Sequence, residues 1–102
     1  MAKDIKDIPF RTKVKTHLYT KGNALDLIDL LEEHSIELYG YDGFRTLPNG
    51  IEIEQEYSND FGAPIYNFKS YSDPEIYLIA KKHIKSLPED VWFEIVFNEQ
   101  ND

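Results

Sequence analysis

Hydrophobic and polar residues alternate along four stretches of this chain and recur at helical spacing in two more. Over residues 10–21, Phe10, Thr12, Val14, Thr16 and Leu18 fall on one side. Arg11, Lys13, Lys15, His17 and Tyr19 fall on the other, the period-two pattern of a strand. Lys21-Gly22-Asn23 interrupts the pattern, and asparagine is a good helix cap, which places the cap at Asn23. Ala24, Leu27, Ile28 and Leu31 then line one face, with Asp26, Asp29, Glu32 and Glu33 mostly opposite. That spacing predicts an amphipathic helix ending near His34-Ser35. Alternation resumes over 36–41. Asp42-Gly43 and Pro48-Asn49-Gly50 both carry turn chemistry, and the strict alternation over 51–58 predicts a further strand. Residues 65–69 predict a short extra edge strand. Asp73-Pro74-Glu75 combines a cap, a proline in the first turn and an acid near the positive end of the helix dipole. Ile76, Ile79, Ala80, His83, Ile84 and Leu87 supply the apolar stripe of that second helix. Pro88-Glu89-Asp90 ends it, and Val91, Phe93, Ile95 and Phe97 predict the buried side of a last strand.

The order β-α-β-β-(β)-α-β predicts a single α+β domain over 1–102, with 1–8 and 98–102 as flexible ends. Without the optional strand it matches the ferredoxin-like split βαβ pattern: a two-layer sandwich, mixed sheet, two helices on one face. That pattern sets the first and third strands side by side in the centre. Arg11, Lys13 and Lys15 would then face Glu52, Glu54 and Glu56, each opposite-charge pair contributing about 0.2–1 kcal/mol.

Charge changes the picture more than composition does. The chain of 102 residues carries a formal net charge of −8. Six bases against two acids give residues 1–21 a balance of +4, and seventeen acids against five bases leave the remainder at −12. The segment 22–68 holds ten acids and one base, Arg45, among many aromatic residues. Such a surface repels phosphate and attracts basic protein. RNA-binding sheets of this type need aromatics in a basic field. Here Tyr19, Tyr39, Tyr41 and Trp92 sit among acids, which argues against direct nucleic-acid binding.

Cysteine is absent, so neither a disulfide framework nor a thiolate metal site is available. No apolar run approaches the ~20 residues of a membrane span. The opening MAKDIKDIPF lacks a signal-peptide core, and a cytoplasmic protein is expected. His17, His34 and His83 show no metal-binding spacing, and no nucleophile-elbow, phosphate-loop or dinucleotide motif is present. No catalytic residues, no metal and no cofactor are expected.

The candidate partner-binding residues are therefore acids and aromatics: Glu37, Tyr39, Tyr41, Asp42, Glu52, Glu54, Glu56, Tyr57, Asp60 and Phe61. The three glutamates of 52–56 have a plainer reading as the solvated partners of the lysine row. Trp92, on the outer side of the last strand, is a secondary interface candidate, since tryptophan is favoured at binding hot spots. A covering loop over 59–72 or a homodimer through that face are the alternatives. The aromatic-rich stretch 59–73 divides between core and contact.

Leu38-Tyr39-Gly40-Tyr41-Asp42-Gly43, then Leu47-Pro48-Asn49-Gly50, the acidic strand 51–58, a following helix and an apolar last strand together resemble the small immunity proteins that inhibit tRNA-cleaving colicins. The helix 24–34 fits the same order, so the resemblance spans roughly 23–97. Related immunity proteins of contact-dependent toxins look similar. The resemblance implies that a basic nuclease domain is the partner and that the acidic, aromatic surface takes the place of its RNA. Two other classes fit the charge. One is a nucleic-acid mimic, phage-encoded or regulatory, aimed at a host DNA- or RNA-binding protein. The other is a self-associating ferredoxin-like domain that binds a small ligand.

Overall fold

A computed structural model describes residues 5, 8, 9, 11–13, 16–47 and 50–99, and over 11–13, 16, 46, 47 and 50–56 the backbone alone. The elements are β1 (Arg11–Lys13), β2 (Thr16–Leu18), α1 (Lys21–Glu33), β3 (Leu38–Leu47), β4 (Gly50–Asp60), α2 (Pro74–Ser86) and β5 (Val91–Phe97). It is a small α+β fold of two helices and a three-stranded antiparallel sheet in the order β4-β3-β5.

That order departs from the ferredoxin-like one. β3 takes the centre, whereas the ferredoxin-like arrangement puts the first strand beside 51–58. The basic stretch instead forms two short strands that pair with each other, Arg11 opposite Leu18 and Lys13 opposite Thr16. Its link to the main sheet is a bridge at Tyr19, whose N–H and carbonyl each bond Phe93 at 2.8 Å. Alternation alone cannot distinguish one strand from two folded together, because both keep period two. Tyr19, expected on the open face, is buried with Leu18. The lysine row does not neighbour the glutamate row in the described sheet. Arg45 lies opposite Glu52 instead.

β3 also runs straight through Asp42-Gly43, where a turn was expected. Gly43 serves close packing: a methyl group there would collide with Cβ of Tyr57 and lie 2.8 Å from its carbonyl oxygen. Opposite Asp42 the register of β4 breaks, since Tyr41 pairs with Asn59 but Gly43 pairs with Glu54. The four extra residues, 55–58, form a large irregular bulge opposite Asp42. The expected turn after Leu47 agrees with the pairing of Leu47 and Gly50, although Pro48 and Asn49 lie outside the described residues. Residues 65–69 form no strand and belong to the loop between β4 and α2.

Both helices are where their stripes place them. α1 starts three residues earlier than expected, because the Thr20 hydroxyl, and not Asn23, caps it by accepting from the Asn23 N–H. Its end is a Schellman turn, with the Ile36 N–H bonded to Leu31 O, the Ser35 N–H to Glu32 O, and Ser35 at φ 53°. α2 starts with Asp73 accepting from the Glu75 N–H and Pro74 in the first turn, as its sequence dictates.

The core lies between the helices and the inner side of the sheet. Leu27, Ile28, Leu31, Ile76, Ala80 and Ile84 meet Leu38, Val91 and Phe93 there. Ile8 is a core residue too, and Ile5 packs against the core. Asn98 donates its N–H to Glu37 O. Glu99 is exposed, and the remaining end residues lie outside the described set.

Candidate functional site

The acids and aromatics singled out in the sequence separate into three groups. Tyr41 and Phe61 belong to the core, at 2% and 3% exposure, and are unavailable as partner contacts. Tyr41 points inward because it shares its side of the sheet with Phe93 and Ile95, its ring edge-on to Phe61 and Phe93. Phe61 in turn packs on Tyr66 and Phe68, which takes up much of the aromatic content of the loop. Burial raises the Tyr41 phenol far above its ordinary pKa, so it stays protonated at neutral pH.

The second group sits at the end of the sheet where β3 begins. Glu37 is half-buried and accepts from the Tyr39 hydroxyl at 3.3 Å. The Tyr39 ring meets Tyr71 edge-on at 4.9 Å. Partial desolvation, then the Glu37 carboxylate, raise the Tyr39 pKa. Asp60, opposite Gly40, is exposed and accepts from the Gly62 N–H at 2.9 Å, which shapes the turn after β4. Ser58 lies in the bulge, its hydroxyl accepting from the Gly43 N–H.

A third group occupies the sheet face turned away from the helices. Asp42 is directly opposite Glu94, and Phe44 directly opposite Trp92. All four are half-buried. Val91, Phe93 and Ile95 alternate into the core, so Trp92, Glu94 and Val96 point the other way. Desolvation, then the Asp42 carboxylate, raise the Glu94 pKa. Glu94 and Phe44 did not enter the sequence-based set. Phe44 was obscured by the apparent turn at Asp42-Gly43, and Glu94 becomes prominent only once its neighbour is known to be another acid.

Among the remaining candidates, the backbone puts Glu52 opposite Arg45 and Glu54 opposite Gly43, with Glu56 in the bulge. Tyr57 is half-buried and packs against the core as well as against Gly43.

Ion pairing is unevenly distributed. Among the described residues the salt bridges are Lys21–Glu89 at 3.1 Å, and Lys81 with Asp29 at 3.0 Å and Glu32 at 2.7 Å. All of them involve the helices. Among the described residues, Glu37, just before β3, and Asp42, Asp60 and Glu94 on the sheet carry none. Among the described residues no group of three His, Asp or Glu side chains is placed to hold a metal ion, and no helix is long and apolar enough to cross a membrane. The histidines sit apart, His17 on β2, His34 at the end of α1 and His83 on α2.

No family model, curated protein or solved structure matches the chain.

Proposed function

We propose that this chain is a non-enzymatic acidic binding protein that inhibits a basic protein partner. The partner we assign is a bacterial nuclease toxin, blocked in the cytoplasm at its RNA-binding site, so that the chain acts as an immunity protein. The observation that carries this reading is the unneutralised charge of the sheet. Lysines of the helical layer pair with helix and loop acids, while Glu37, Asp42, Asp60 and Glu94 have no cationic partner among the described residues. Exposed or half-buried carboxylates interspersed with Tyr39, Phe44 and Trp92 offer a basic surface both charge complementarity and apolar contact.

The mechanism is occlusion. Carboxylates take the place of phosphates against the partner's lysines and arginines, and aromatic rings take the place of bases. Long-range attraction then accelerates association, and added salt slows it.

The test is affinity capture from the source cell's lysate at low salt, followed by an RNA-cleavage assay on whatever is retained. A basic protein whose cleavage of RNA stops at one equivalent of the chain is the expected result. Retention of nothing, or of a basic protein whose activity the chain leaves untouched, would overturn the inhibitor reading.

A further inference from the structure

Two carboxylates stand directly opposite each other on the side of the sheet turned away from the helices, Asp42 on β3 and Glu94 on β5. Like charges in directly opposed positions destabilise a sheet. Both residues are half-buried, and among the described residues neither side chain has an ion pair. The chain thus tolerates an electrostatic cost at the centre of its sheet that one amide substitution would remove. The neighbouring pair on the same face is Phe44 opposite Trp92, and on the other side lies Val96, 45% exposed.

We propose that this face is a docking surface for an arginine or lysine side chain of a protein partner, held between Asp42 and Glu94 beside Phe44. The proposal rests on the reading of the chain as a binder of basic protein, and it locates the contact. A guanidinium offers five N–H donors in a planar fork, enough to satisfy two carboxylates at once, and it packs favourably on aromatic faces. Arginine therefore fits better than lysine. A second copy of this chain is the wrong occupant. Its own matching face would bring a further Asp42 and Glu94 against these two, adding acid to acid.

Trp92 is the only tryptophan of the chain, so its fluorescence reports directly on this face. The experiment titrates the full chain with a hexa-arginine peptide at low salt, following Trp92 emission and the backbone amide shifts of 15N-labelled protein. Two double variants accompany it: Asp42→Asn with Glu94→Gln, and Asp26→Asn with Glu33→Gln on the exposed side of α1. Both remove the same net charge, and thermal melting checks that each is folded. Loss of a charged hydrogen-bonded contact weakens binding by about tenfold or more. The expected result is such a loss in the Asp42/Glu94 variant, a change of about twofold in the helix variant from long-range charge alone, and a Trp92 response in the parent. Equal weakening in the two variants, or binding with no Trp92 response, would overturn this docking site and leave the inhibitor reading standing. Absence of any hexa-arginine binding by the parent would overturn both.

Discussion

The hydroxyl of Tyr41 lies 2.6 Å from Nδ1 of His83 and closes a chain of hydrogen bonds that joins β3, β4, α2 and the loop after β4. Tyr66 donates its hydroxyl to Oδ1 of Asn59 at 2.8 Å, and Nδ2 of Asn59 donates to the Tyr41 oxygen at 3.4 Å. With its oxygen already accepting, Tyr41 is free to donate to His83. The loop after β4, the central strand and α2 are therefore tied by donors that all point one way, an arrangement in which each bond polarises the next.

Tyr41→Phe should accordingly destabilise the fold although it keeps the ring. The edge-on contacts with Phe61 and Phe93 survive, but the Asn59 amide loses its acceptor and Nδ1 of His83 loses this donor. Taking one hydrogen bond from each of these half-buried groups costs about 0.5–1.5 kcal/mol per bond. Urea unfolding followed by circular dichroism measures it. A variant as stable as the parent would show that the relay is incidental.

Gly43→Ala is expected to be worse than its one added methyl suggests. The new Cβ would strike the Cβ and carbonyl oxygen of Tyr57, and backbone cannot step aside as the tip of a side chain can. Overpacking of this kind costs about 1–3 kcal/mol. The same unfolding experiment decides the matter, with Gly22→Ala as the comparison, since nothing lies within 4 Å of a Cβ there.

Glu94 gives the pH dependence. Its pKa is raised by desolvation and then by Asp42, so the folded protein holds this proton more tightly than the unfolded chain. The sign follows: the group adds stability below the ordinary carboxylate range, and that contribution is lost as pH rises through the raised value. Glu94→Gln should thus match the parent near pH 4 and exceed it at pH 7 by about 0.2–1 kcal/mol. Thermal melts of both proteins across that range would reveal the divergence, and a variant less stable than the parent at neutral pH would contradict it.

Ser35 holds a left-handed conformation, φ 53°, at the end of α1. Such a conformation costs a non-glycine residue about 1–2 kcal/mol, and glycine avoids it at an entropic cost of about 0.5–1 kcal/mol. Ser35→Gly should therefore raise stability by about 0.5–1 kcal/mol, the difference of those terms. A melting temperature that falls would mean that the serine side chain contributes more than its strain costs.

Part of this fold was legible beforehand, and the reason differs by element. The Asp73-Pro74-Glu75 cap, the stripe from Ile76 to Ile84 and the alternation over 91–97 are local codes, read within one or two turns of chain. Residues 10–21 misled because alternation survives a reversal of direction. Asp42-Gly43 misled because glycine serves a turn and a close approach equally well. The candidate site was legible as a composition of acids and aromatics, while its division into core and surface was not.

What the sequence alone determined is the acidic character of the chain, its two amphipathic helices and the alternating stretches that became strands. Tertiary structure decided which strands are neighbours, that Tyr41 and Phe61 face inward, and that Lys81 reaches across to Asp29 and Glu32 on the other helix. It also placed Glu94 opposite Asp42. The physical reason is range. Periodicity and capping depend on residues a few positions apart, whereas Asp42 and Glu94 meet only because the register of β3 against β5, set by long-range pairing, brings distant parts of the chain to the same rung.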